Sequence, residues 1–128
     1  MAAIAASEQA IHNTYAGIYV MDLGNEAGGV LTVIQASDSK LKFDLDCTRG
    51  VPSYNSGAIQ GTITVIDAKA TFRTTKYGGK CEINFNFTED GVYISQIGSD
   101  FDCGFGYGVY CNGKYYLESL PQQNRRTK

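Results

Sequence analysis

From Tyr15 onward, apolar and polar residues alternate with a period of two. Leu41, Phe43, Leu45 and Cys47 alternate with Lys40, Lys42, Asp44, Asp46 and Thr48; Cys81, Ile83, Phe85 and Phe87 alternate with Glu82, Asn84, Asn86 and Thr88. Successive strand side chains point to opposite faces, so each run predicts a strand with one dry and one wet face. Looser runs over residues 15–22, 29–36, 58–66, 70–76 and 91–97 predict five more strands, rich in β-branched and aromatic residues. Residues 5–12 can form one short helical turn before the body, with Ser7 as its cap.

The links between these runs are short. Residues 22–28, 37–39, 67–69, 77–79 and 89–91 carry Gly, Asp, Asn or Ser where the backbone must reverse. Asn112-Gly113, between Val109-Tyr110-Cys111 and Lys114-Tyr115-Tyr116-Leu117, predicts a two-residue type I′ hairpin, because both central residues tolerate positive φ. Short reversals make successive strands antiparallel neighbours and leave no crossover long enough for a helix. The expected fold is therefore all-β, an antiparallel meander of eight or nine strands. Closure into a small barrel removes the exposed edges and is favoured over the alternative, a β-sandwich. The barrel is expected to occupy residues 1–120 as one domain, followed by a flexible tail at residues 121–128.

Four cysteines in 128 residues, none in the Cys-x-x-Cys pair of zinc or thioredoxin-like chemistry, favour disulfides over buried free thiols. Disulfides imply an oxidising compartment, periplasmic or extracellular. Met1 to Ala6 lacks the positive start and apolar length of an intact signal peptide, so the expectation is either a cytosolic chain or a processed protein given a starting Met. In an up-and-down meander Cys47, Cys81 and Cys103 all reach one rim. The turn at Glu89-Asp90 sets Cys81 opposite about position 98, and a chain folding back there brings Cys103 within the ~6 Å a bridge needs. Cys81–Cys103 is the favoured pair, leaving Cys47 with Cys111, and the other pairings stay open.

Charge narrows the partners. Eleven Lys plus Arg against thirteen Asp plus Glu give a net charge of −2, with no surplus to neutralise phosphates, so nucleic acid is not expected. No apolar run approaches the ~20 residues of a spanning helix, so no membrane insertion is expected. The basic residues Arg125, Arg126 and Lys128 belong to the tail. No catalytic set, metal or cofactor is expected. The single histidine, His12, precedes the strands. Asp44 and Asp46 read as a wet strand face rather than a glycosidase pair, and Asp100 and Asp102 are too few for calcium. The glycines of Gly104-Phe105-Gly106-Tyr107-Gly108 lie between strands with no following helix, unlike a nucleotide loop. Asn86-Phe87-Thr88 matches a glycosylation acceptor but falls in a strand.

Cys81-x-x-x-Phe85-x-Phe87, Cys103-Gly-Phe-Gly-x-Gly-Val109 and Gly113-x-Tyr115 together resemble the C-terminal signature of small exported bacterial β-proteins. That resemblance covers about the last third of the chain and implies export and a Cys81–Cys103 bridge, with no activity attached. The layout is also similar to the eight-stranded barrels of periplasmic lysozyme inhibitors, as an architectural analogy. Nine tyrosines, among them Tyr54, Tyr77, Tyr93, Tyr107, Tyr110 and Tyr116 near loops or wet faces, suit contact with a protein. The expected function is a non-enzymatic protein-binding domain, an inhibitor or immunity factor. It would act through the rim of residues 49–56 and 105–110, with Arg49, Tyr54, Phe105, Tyr107 and Tyr110 as candidate contacts. A carrier of a hydrophobic small molecule inside the barrel is the alternative, and a self-pairing envelope module a third.

Overall fold

The computed structural model describes residues 15–98 and 100–119. The expected helical turn at residues 5–12, His12 and the tail at residues 121–128 lie outside them.

Eight strands form: β1 (Gly17–Gly24), β2 (Ala27–Gln35), β3 (Lys40–Thr48), β4 (Ser56–Thr64), β5 (Lys69–Thr74), β6 (Cys81–Phe87), β7 (Gly91–Ile97) and β8 (Gly113–Ser119). A single 3-10 turn, Asp100–Cys103, interrupts the described residues. Every ladder is antiparallel, in the order β4-β3-β2-β1-β8-β7-β6-β5. The first and last strands pair, Tyr19 with Leu117 and Val20 with Tyr116, so the meander curls into a nearly closed barrel rather than splitting into two layers. The unladdered seam lies between β4 and β5. There Phe72 leans across, and Gly61 admits it: a Cβ at Gly61 would come within 2.4 Å of the ring.

The alternation read from sequence produces the interior. Leu41, Phe43, Leu45 and Cys47 on β3 and Cys81, Ile83, Phe85 and Phe87 on β6 are all buried, while their polar neighbours face outward. Facing strands add Leu31, Val33, Ile59, Val92, Ile94 and Tyr115. A run of aromatic contacts links this interior from the seam to the end where β1 begins. Phe72 meets Phe43 edge-on at 5.1 Å, Phe43 meets Phe85 at 5.0 Å, and Phe87 meets Tyr15 at 4.6 Å. Edge-on and tilted rings pair favourably beyond the area they bury.

One expectation about turns is corrected. Asn112-Gly113 is not a type I′ hairpin: Asn112 has no left-handed backbone, residues 109–111 form no strand, and Gly113 opens β8. The Asn112 side chain instead accepts a hydrogen bond from the Gln96 backbone N–H, fastening β7 to the start of β8. Paired left-handed residues of the type I′ kind occur at Asn25-Glu26 (φ 53° and 64°) and Asp67-Ala68 (φ 54° and 65°). Both sit where two residues separate paired positions, Gly24 from Ala27 and Ile66 from Lys69. Two-residue reversals match strand twist as type I′ or II′; the I′ form seen here needs positive φ at both centres, and that requirement overrides the reluctance of Glu26 and Ala68.

Candidate partner-binding rim

Because the strands run up and down, the β1–β2, β3–β4, β5–β6 and β7–β8 connections share one end of the barrel. Three are short and the fourth, over its described residues 100–112, is a strap across the mouth. Both disulfides lie on it. Cys81 is joined to Cys103 and Cys47 to Cys111, with Cα separations of 4.8 and 5.7 Å. This is the pairing that strand register favoured, and two bridges are compatible with an extracytoplasmic protein.

The strap touches its neighbours along its length. Tyr77 lies against Gly104, and the Asp102 carboxylate packs over Gly79 and Gly98. On the other side Gly106 N–H donates to the Ser56 carbonyl at 3.1 Å, and the Asn55 side-chain amide donates to the Tyr107 carbonyl at 2.8 Å. Between the bridges Phe105 and Val109 are buried, at 2% and 0% exposure. Phe105 fits because position 57 is glycine: a Cβ there would fall 2.3 Å from the ring. Under the Cys47–Cys111 bridge Tyr115 is fully buried, its hydroxyl donating to the Cys111 carbonyl at 2.8 Å and lying 3.5 Å from Cys47 Sγ. Burial pushes its phenol well above the ordinary tyrosine range.

The candidate contacts divide. Arg49 and Tyr107 come together, the guanidinium carbon 5.6 Å from the ring centroid in a cation–π arrangement. Tyr107 and Tyr110 are 66% and 61% exposed. Tyr54, left-handed at φ 55°, is also exposed but turns to the other side of its loop, where its hydroxyl donates to Glu26 Oε2 at 3.4 Å. Phe105 is the correction: it serves the interior and is not available to a partner. Sequence reasoning missed Phe101, exposed on the same rim, and did not single out Val51, which is exposed within the 49–56 segment. Phe101 sits between Asp100 and Asp102, where the flanking acids mask its apolar signal, and among the described residues no cluster of metal-ligating side chains occurs.

Asp44 and Asp46 lie outward on β3. The Gln60 side chain donates to Asp44 at 3.3 Å, while burial, with Asp44 as a second cause, raises the Asp46 carboxyl above the usual aspartate range. No family model, no curated protein and no solved structure matches this chain, which leaves the residues of this rim as the ground on which its function is read.

Proposed function

We propose that the protein is an extracytoplasmic, non-enzymatic binding domain that recognises another protein through the strap rim, in the manner of an inhibitor or immunity factor. The observation that carries this reading is the strap itself: a segment held by two bridges, with Phe105 and Val109 turned inward and Tyr107 and Tyr110 turned out. Anchored at both ends, such a segment loses little conformational entropy on association. Exposed tyrosines beside an arginine match the side chains that dominate interface energetics. Side chains fill the barrel axis with buried aliphatic and aromatic groups, which favours the rim over an internal ligand.

The test is site-specific photo-crosslinking from position 107 against position 66, an exposed isoleucine at the opposite end. Probing envelope and culture-fluid extracts, and a panel of lysozymes and secreted toxins, should yield an adduct from position 107 alone. The Tyr107→Ala/Tyr110→Ala variant should then bind the identified partner about thirtyfold more weakly or worse, as hot-spot loss implies. Equal crosslinking from position 66, or affinity untouched by the double substitution, would overturn the reading.

A further inference from the structure

Next to the strap rim, strand register lays out two outward rows across β1 to β4. Val20, Val30, Asp46 and Ala58 form one, and Asp22, Gly28, Thr48 and Ser56 the other. Gly28 leaves bare backbone in the second row, and Ala58 adds only a methyl to the first. The result is a groove of about 460 Å³ on the outer face, walled by Val20 and Val30. The groove is open along its outer side, so it offers a place for one side chain rather than an enclosure for a whole ligand. Its charged lining is Asp22, Glu26 and Asp46, with no lysine or arginine among the lining residues. The groove is continuous with the rim through Glu26, which holds the Tyr54 hydroxyl.

Few chemistries suit that combination. An anion meets three carboxylates and no cation. A hydrated metal ion gains nothing from the two valines, and these acids form no metal-ligating cluster. A long basic side chain fits, because its methylenes can lie on apolar walls while its charged head reaches an acid at the edge.

We propose that this groove is the specificity pocket of the rim interface and receives a lysine or arginine side chain of the protein partner. Its stem packs on Val20 and Val30, and its head pairs with Asp46 and with Asp22 or Glu26. The pocket rests on the rim reading above and adds the partner's chemistry to it. A pocket with three acids in its lining discriminates against partners bearing a neutral or acidic side chain at that position, since a neutral group leaves the negative field uncompensated and an acidic one is repelled by it.

The probe is N-acetyl-arginine-N-methylamide, titrated into isotope-labelled protein with bridges intact and followed by amide NMR shifts. The citrulline analogue serves as its uncharged control. Arginine should give saturable shifts at Gly28, Gly29, Asp46 and Thr48, with the millimolar affinity of a single side chain. Citrulline should bind at least about fivefold more weakly, the scale expected of a charge-assisted contact near the surface. Asp46→Asn should remove the preference for arginine, and Ala58→Phe, outward on β4, should fill the groove and abolish saturation while the rest of the spectrum stays in place. Equal binding of arginine and citrulline, or shifts elsewhere that survive Ala58→Phe, would overturn the pocket. The rim variants do not enter this experiment. A failed pocket therefore leaves crosslinking from position 107 to stand or fall alone. Once a partner is in hand, replacing its inserted basic residue by glutamine should abolish the penalty of Asp46→Asn.

Discussion

The two ends of this barrel solve one problem differently. At the end where β1 begins, the links β2–β3, β4–β5 and β6–β7 are three or four residues long, and rings carried by the barrel and the residue just before it, Tyr15, Tyr19 and Phe87, close the interior. At the other end the strap supplies Phe105 and Val109 as a plug, and covalent bonds hold it. Strand-borne rings are positioned by ladder hydrogen bonds and need no further fastening. A long connection has no ladder, and its ordering must be offset by other means. The bridges do this, and they leave the outward residues of the strap free to serve a partner.

The largest effect should come from removing those bonds. Loop-closure entropy assigns about 4 kcal/mol to the Cys47–Cys111 bridge (sequence separation 64) and about 3 kcal/mol to Cys81–Cys103 (separation 22). Urea unfolding of the Cys47→Ser/Cys111→Ser and Cys81→Ser/Cys103→Ser proteins should show losses in that order. Hydrogen exchange sharpens the contrast. Amides of the strap should lose protection well before those of β2 and β3 near the opposite end, and simultaneous loss at both ends would break the comparison.

Comparable in size is a contrast within the strap. Phe105→Ala should cost about 3–5 kcal/mol, as for other buried phenylalanines, and Tyr107→Ala, two residues on, within about 0.5 kcal/mol. Gly57→Ala tests the other side of that contact. Its new methyl meets the Phe105 ring, and overpacking of this kind costs about 1–3 kcal/mol. If Phe105→Ala also suppressed the loss from Gly57→Ala, the pair would be coupled as the geometry requires.

These contrasts also show what the sequence made legible. The strands at Leu41–Cys47 and Cys81–Phe87 could be read because burial in a strand repeats every second residue, and their register brought Cys81 towards Cys103. Phe105 and Tyr107 carry no such signal. The strap is not a strand, so spacing does not decide which ring turns inward; bare backbone at Gly57, far away in sequence, does. The turns were misassigned for a related reason. Asn112-Gly113 has the favoured composition, but the number of residues between paired positions selects a turn, and Asn25-Glu26 and Asp67-Ala68 met that condition. The groove was invisible because it depends on Gly28 and Ala58 lying beside Val20, Val30 and Asp46 across four strands.

The smallest effect concerns Asp46, and its sign separates a structural acid from one retained for binding. Burial in first place and Asp44 in second raise its carboxyl in the folded chain relative to the unfolded one. Between the ordinary aspartate range and that raised value the folded state holds more protons than the unfolded state, so stability falls as pH climbs through the window. At neutral pH the ionised group therefore works against the fold, and at low pH, with both states protonated, the penalty is gone. Asp46→Asn should accordingly raise the unfolding midpoint slightly at neutral pH and leave it unchanged in acid, while removing the preference for the arginine probe. A neutral-pH loss of stability in Asp46→Asn would mean that the charge is held by partners within the barrel face, which would leave it poorly placed to receive a basic side chain from outside.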